Sequence, residues 1–245
     1  MAKGQLAVFV RARRAALGIT QAQLAASTGW SKSAIEKVEA GTLTPSLEFV
    51  GALFDALQIS YVYRERIIET LYPGTLDRIL GPSRDLPDAE ALADLEDLPY
   101  PSAYVALPEF DVLGANTAWT GIFPQLSAGS SFFTYLFAEP ASQSVLVDWE
   151  WAATAMAYVL RMLGPISLPE AAIASIVERC SVHPDFARMY STDTVVPTEH
   201  DPHLRVADPE TGQVRTFRMK IDKPHIPLSS WVTYRLVPKR DQPAS

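Results

Sequence analysis

The sequence predicts an α+β chain in three parts: an all-helical N-terminal domain over residues 1–72, a linker with a short acidic helix over 73–98, and a C-terminal domain over 99–240 that joins one antiparallel sheet to several helices. Three observations carry this. Of 19 prolines only Pro45 precedes residue 73, so the first stretch is free to be helical throughout. Short β-prone runs lie at both ends of the remainder, "AYVAL" and "FDVLG" early, "LRVAD", "QVRTFRMKI" and "SWVTYRLV" late. Between them run helical periodicities, and a hairpin, then helices, then three strands is the order of an α+β domain.

Composition bounds the rest. A chain of 245 residues, 48% of them hydrophobic, has enough apolar mass for packed cores. The net charge of -7 excludes a generic polyanion binder, but residues 1–72 carry +2 and the remainder -9. A mildly basic head on an acidic body suits a small nucleic-acid-facing module attached to something else. Cys180 is the single cysteine, so no intrachain disulfide forms, and its apolar setting reads as a buried thiol in a reducing compartment. The start, "MAKGQLAVFVRARR", holds too short an apolar run for a signal peptide. The longest apolar stretch, "WAATAMAYVLRML", is about two-thirds of a bilayer span and contains Arg161. No membrane span is expected, and the cytoplasm is the expected location.

The head reads as five helices. The first covers residues 4–17, with Leu6, Val10 and Leu17 inward, Arg11, Arg13 and Arg14 mostly outward, and Gly18 as its cap. Thr20 opens the second and forms a capping box with Gln23; Gly29 closes it. Ser31 or Ser33 caps the third, Ser33 with Glu36 making a second capping box, and Gly41 stops it. Thr44-Pro45 starts the fourth with proline at its first position, and Leu47, Val50, Phe54 and Leu57 share its inner face. The fifth covers residues 60–72. The following segment carries six acids from Asp85 to Asp97 and no base.

Residues 19–41 join two short helices through a tight turn at Gly29. Ala25 is small enough to let the helices cross closely, and Ile35 and Val38 anchor the third helix below. Ser31, Lys32, Ser33, Glu36 and Lys37 are left on its outer face. This is the geometry of a helix-turn-helix, whose second helix enters the major groove by its N-terminal residues. Gln21, opening the helix before it, would meet a phosphate, and Arg11 is a further candidate contact. Over residues 6–59 the chain resembles the XRE (lambda-repressor-like) helix-turn-helix family, through Arg14, Gly18-Ile19-Thr20-Gln21, Leu24-Ala25, Gly29, Ser31, Ile35, Glu39-Ala40-Gly41 and Pro45-Ser46. The resemblance implies binding to double-stranded DNA and a pair between Arg14 and Glu39 beneath the recognition helix. Trp30 departs from the family's smaller aliphatic; it would crowd the turn or prop the helix.

In the body, Pro108-Glu109 joins the two strands of a hairpin. Helical patterns follow over residues 117–123, 130–137, 142–163, 169–181 and 184–190. "DPETG" turns the chain between the first two late strands. No catalytic set stands out: no G-x-S-x-G occurs, and the chain is not expected to be an enzyme. "TEHDPH" holds Glu199, His200, Asp201 and His203, but Pro202 interrupts it and one loop does not easily wrap a metal, so a solvated loop is expected and no metal or cofactor. His183 is placed near the cap of a helix.

Large apolar side chains are abundant. Trp119, Phe132, Phe133, Phe137, Trp149, Met156, Met162 and Trp231, with Asn116 and Arg161 as polar members, are the candidate walls of a cavity between sheet and helices. The bland alternative is that they fill a core. Arg161 would meet a ligand carboxylate, or pair with Asp148 or Glu150. Residues 99–237 resemble the MmyB-like ligand-binding domain, a PAS-like fold found behind XRE heads in actinobacterial regulators. The matching pieces are Pro101-Ser102-Ala103-Tyr104-Val105, Asp111-Val112-Leu113 with Asn116, Phe137-Ala138-Glu139-Pro140, Asp148-Trp149-Glu150, Leu160-Arg161, Pro184-Asp185-Phe186-Ala187 and Pro209-Glu210-Thr211-Gly212. Ala115, Asp208 and Tyr190 depart from the family's usual Trp, His and Trp. The resemblance implies a transcription factor with a sensor pocket for a fatty acid or other apolar ligand. The head is only mildly basic, so tight binding would need dimerisation, and a homodimer on a palindromic operator is expected. The alternative is a filled-core dimerisation or protein-interaction scaffold.

Overall fold

A computed structural model describes residues 2–81, 86–191, 203–223 and 229–239. The described residues form two compact units that do not follow chain order. The first holds those of Met1–Gly81, Ala155–Ser175 and Ala187–Glu199; the second holds those of Pro82–Thr154, Ile176–Phe186 and His200–Ser245. Among the described residues no helix is long and apolar enough to cross a membrane.

The first unit is helical. It contains α1 (Ala2–Ala16), α2 (Gln21–Thr28), α3 (Lys32–Glu39), α4 (Leu47–Ala56), α5 (Tyr61–Leu71) and α6 (Thr75–Leu80). Its core gathers Phe9 and Val10 of α1, Leu24 of α2, Ile35 and Val38 of α3, Phe49, Val50, Leu53 and Phe54 of α4 and Ile67 of α5, all buried. Leu163 and Ile166 of α11 (Trp149–Ser167) join the same cluster. The expected capping box at Thr20 is present in full: Gln23 N–H donates to Thr20 Oγ1 at 3.2 Å, and Thr20 N–H donates to Gln23 Oε1 at 2.8 Å.

Three expectations for this unit are corrected. Arg13 is buried at 3% exposure, not outward. It follows Phe9 by four residues and Val10 by three, so it falls on the buried stripe of α1. Its guanidinium is satisfied there by distant groups: Nε donates to Leu57 O at 3.0 Å, and Nη1 donates to the Tyr158 hydroxyl of α11. The fourth helix starts two residues later than expected. Ser46 is its N-cap, accepting from Phe49 N–H at 3.2 Å, and Pro45 stands before it. Leu47 is accordingly 44% exposed, and Phe49 and Leu53 take the inward places. Of the two caps expected for α3 it is Ser31 that acts, accepting from Ala34 N–H at 3.2 Å, and Ser33 lies inside the helix, so it forms no capping box with Glu36.

The second unit is built on a five-stranded antiparallel sheet, β1 (Ser102–Ala106), β2 (Asp111–Ala115), β3 (His203–Ala207), β4 (Val214–Asp222) and β5 (Trp231–Pro238), in the order β2-β1-β5-β4-β3. Strand alternation divides its residues between two faces. One face carries Ala103, Val105, Val112, Val232, Tyr234 and Leu236, all buried. The aromatic residues of α8 (Thr117–Ile122) and α9 (Phe132–Ala138) meet on this side, with Phe132 5.4 Å from Tyr234 and 6.0 Å from Trp119 between ring centroids. The other face carries Tyr104, Trp231 and Gly114 and takes α7 (Ala89–Glu96), whose Leu95 packs against Tyr104 and Trp231. A Cβ at Gly114 would lie 2.5 Å from the Cδ2 methyl of Leu92 of α7, so a larger residue here would push that side chain aside.

The helical pattern over residues 142–163 is split. The chain forms α10 (Ala141–Val145), breaks, and resumes at Trp149 as α11. Leu146 bridges to Val206 and Val147 N–H donates to Arg205 O at 3.1 Å, so the break extends the free edge of β3. Asp148, offered as a partner for Arg161, instead pairs with Arg205, whose Nε lies 2.8 Å from Asp148 Oδ2. The remaining helices are α12 (Glu170–Cys180) and α13 (Phe186–Ser191).

Candidate nucleic-acid interface and ligand site

The outer face of α3 forms because apolar and polar residues separate at helical spacing. Ile35 and Val38 are buried, while Ser31, Lys32, Ser33, Glu36 and Lys37 are exposed together. Lys32 and Glu36 pair one turn apart at 3.3 Å, with side chains 60% and 47% exposed, a contact worth little and easily exchanged for a phosphate. Gly29 makes the turn before the helix with φ of 73°, the left-handed conformation that lets Ser31 cap α3 within two residues.

Beneath α3 the implied pair is present. Glu39 is 3% exposed; its Oε1 accepts from Arg14 Nε at 2.5 Å and its Oε2 accepts from Arg14 Nη2 at 3.1 Å. Burial alone would raise the Glu39 carboxyl, but the bonds from Arg14 and Gln21 and the charges of Arg14 and Arg11 outweigh it and leave the value lowered. Gln21, expected to meet a phosphate, donates from Nε2 to Glu39 Oε2 at 2.8 Å, so part of its amide is already committed. Arg11 donates from Nη2 to the carbonyl of Glu39 at the C-terminal end of α3. Both side chains therefore hold the underside of the recognition helix.

Trp30 props the helix. Its ring stacks on Phe49 of α4 at 4.2 Å with 9° between planes, and Phe49 is fully buried beneath it. Replacing Trp30 with alanine uncovers Phe49 next to the α3 cap. We expect a loss of about 1–2 kcal/mol, read as a lower melting temperature, and weaker DNA binding. Trp30→Phe should recover most of both, whereas a melting temperature unchanged in Trp30→Ala would show the stack to be idle.

In the second unit the expected aromatic residues converge on α8 and α9. Trp119 is 2% exposed and donates from Nε1 to Leu126 O at 2.9 Å. Phe133 meets Phe110 edge-on at 5.5 Å, and Phe137 meets Phe186 at 4.9 Å and Trp149 at 6.3 Å. Trp149 Nε1 donates to Leu136 O at 2.9 Å. Asn116 spends its polar atoms on the backbone: Oδ1 accepts from Ser102 and Trp119 N–H, and Nδ2 donates to Leu98 and Tyr100 carbonyls. It is a joint of the scaffold. Trp231 stands apart from this wall, because strand alternation puts it on the α7 face with Tyr104, 5.8 Å between centroids. Met156, Arg161 and Met162 belong to the helical unit, where Arg161 lies over the Tyr158 ring at 5.7 Å.

One polar group of the wall was not foreseen from the sequence, although the ring that carries it was among the large apolar side chains expected there. Tyr135 is 2% exposed and lies 6.0 Å from Phe123, and among the described residues its hydroxyl has no hydrogen-bond partner; the same holds for Thr134 Oγ1 beside it. Burial, and the charge of Glu139, push the phenol above its ordinary value, so it stays a neutral donor. An unpaired buried hydroxyl costs stability unless something bonds it. No local pattern marks this, because it depends on what the fold leaves unpaired. Burial likewise pushes the Cys180 thiol up to about 12, which leaves it a poor nucleophile. His203 lies in β3, while Glu199, His200 and Asp201 fall outside the described residues.

Comparison with known families agrees with this geometry. A helix-turn-helix domain profile matches residues 5–66, and the MmyB-like transcription regulator ligand binding domain matches residues 88–244, more than half of the chain. A search of curated proteins finds no match. The chain belongs to the MmyB-like transcription regulators, with an XRE-type helix-turn-helix DNA-binding domain ahead of its ligand-binding domain.

Proposed function

We propose that the chain is a cytoplasmic, dimeric regulator that reads a palindromic double-stranded operator through the N-terminal half of α3, under the control of a fatty acid or related apolar molecule. The amphipathic split of α3 carries the DNA part: its apolar residues are locked in the core and five polar ones are exposed in one patch. Two such helices reach successive half-sites about 34 Å apart, or a multiple of that. The ligand part is supported by the unbonded Tyr135 hydroxyl among apolar rings, which suits a molecule with a long apolar body and a polar end. Ligand control requires unequal affinity for the DNA-competent and incompetent arrangements. The reading includes no catalysis and no resident metal.

The close ring packing of Phe110, Phe133, Phe137 and Phe186 favours the second reading, a filled-core scaffold without a small-molecule ligand. One experiment separates them. The full chain is titrated with operator duplex across a salt series, with and without added fatty acids of graded length, and its organic extract is analysed by mass spectrometry. Lys32→Ala and Lys37→Ala should each weaken binding and flatten the salt slope by about one. A retained acid that Tyr135→Phe releases supports the sensor. An empty extract and no effect of any acid on binding or melting support the scaffold, and unchanged salt slopes in both lysine variants would remove those residues from the interface.

A further inference from the structure

Among the described residues, the α7 face of the sheet is covered over half its width. α7 lies over β2 and β1, where Leu95 and Leu92 meet Tyr104, Trp231 and Gly114. Strand pairing continues the same face outward through Thr233, Arg235 and Val237 of β5 to Asp222, Lys220 and Arg218 of β4. There Arg218, Lys220 and Asp222 are exposed. Arg235 pairs with Asp222, Nε to Oδ2 at 3.0 Å, which leaves this half of the face with a net positive charge from Arg218 and Lys220. Neither of those two makes an ion pair among the described residues.

The covered half has the opposite sign. α7 contains no base, and Glu90, Asp94 and Asp97, at its C-cap, are exposed. Leu92 adds an apolar patch between them at 41% exposure. An antiparallel sheet often leaves one face to water, and a solvated face needs no sorting of charge. Here acids occupy the helix and, among the described residues, unpaired bases occupy the exposed strand β4, in one unit and on one face.

We propose that this face is the interface between two copies of the chain, with α7 of each laid across the exposed β4 side of the face of the other. A surface that carries an acidic ridge beside a basic floor is self-complementary under a two-fold rotation: the ridge of one copy meets the floor of its partner, and the reverse contact forms at once. Like-charged halves would be opposed in any untwisted arrangement, so the charges also fix the register. The inference rests on the dimer of the proposed function and on nothing else in it. It adds the surface, and it makes the dimer sensitive to salt.

The test measures the oligomeric state of the full chain by sedimentation velocity at low and high salt. It compares the parent protein with Arg218→Glu/Lys220→Glu, with Glu90→Lys/Asp94→Lys, and with all four changes together; circular dichroism checks that each remains folded. The parent should be a dimer that weakens with salt. Each one-sided reversal should raise the dimer dissociation constant at least tenfold, and the fourfold variant should restore it. A dimer indifferent to both reversals overturns the surface, and so does a parent that stays monomeric. A basic-side reversal that keeps the dimer but lowers binding to non-specific duplex assigns the floor to nucleic acid and overturns it as well. Binding to a single half-site duplex, which needs one head, is measured alongside. Its loss in the parent protein would count against the DNA reading, while its persistence with a failed dimer test would count against the surface alone.

Discussion

Glu39→Ala should destabilise the helical unit by about 3–5 kcal/mol, a large share of the roughly 5–15 kcal/mol that holds a domain folded. The carboxylate is 3% exposed and accepts from Arg14 twice and from Gln21 once, so its removal leaves the Arg14 guanidinium, itself only 17% exposed, without its counter-charge. Arg11 also bonds the carbonyl of Glu39, so the C-terminal end of α3 would loosen with it. The helix that presents Ser31 to Lys37 is therefore held from below by a cluster that never needs to touch DNA. Glu39→Gln keeps the shape and loses the charge, and it should fall between the parent and the alanine variant. Acid should act in the same direction. The folded value of Glu39 is lowered, so the unfolded chain binds its proton first; the stabilisation is whole above the ordinary carboxylate value and drains as pH falls towards the folded one. Chemical denaturation of parent and variants at pH 7 and at pH 3 checks this. The gap between parent and Glu39→Ala should shrink at the lower pH. A gap under 1 kcal/mol at pH 7 would mean that Arg14 finds another partner.

How much of this was legible beforehand depended on the range of the interaction. The capping box of Thr20 and Gln23 and the outer face of α3 are written in residues three or four apart, and both are found as expected. The split between α10 and α11 is not, because the stretch at Leu146 and Val147 has a helical pattern and is drawn out by β3, some sixty residues later in the chain. Arg13 misled for a related reason. Its charge argued for water, and the acceptors that satisfy it, Leu57 O and Tyr158 Oη, come from a helix end and from a remote helix. Trp231 is an instructive middle case. Its place on the face opposite Tyr234 follows from counting three residues along a strand, so the sequence held the information once the strand's register was known. Tyr135 lies at the other limit: the aromatic ring was visible in the sequence, but its unbonded hydroxyl was not.

Asn116 is the second residue whose loss should be severe. It caps α8 at the end of β2, and its side chain ties together three backbone segments. Oδ1 takes Ser102 N–H and Trp119 N–H, both at 2.9 Å, while Nδ2 reaches Tyr100 O at 2.8 Å and Leu98 O at 3.2 Å. Asn116 is 1% exposed and Ser102 is fully buried, so water does not readily replace what is lost. Each such bond is worth about 1 kcal/mol net, and a buried group left unbonded costs about 1–3 kcal/mol, so Asn116→Ala should cost about 3–5 kcal/mol. Asn116→Asp separates the two halves of the role. It keeps an acceptor for both N–H groups and sets the other oxygen against the carbonyls of Leu98 and Tyr100. As a carboxylate it repels them; once protonated it can donate to one. The aspartate variant should therefore gain stability relative to the parent as pH falls from 7 towards 5, in the range where acid has not yet weakened Glu39. Urea unfolding followed by tryptophan fluorescence reports on the right place, since Trp119 lies three residues from Asn116 and is buried. If Asn116→Asp matches the parent at pH 7, the two donated bonds contribute nothing, and the joint between β1, β2 and α8 rests on Oδ1 alone.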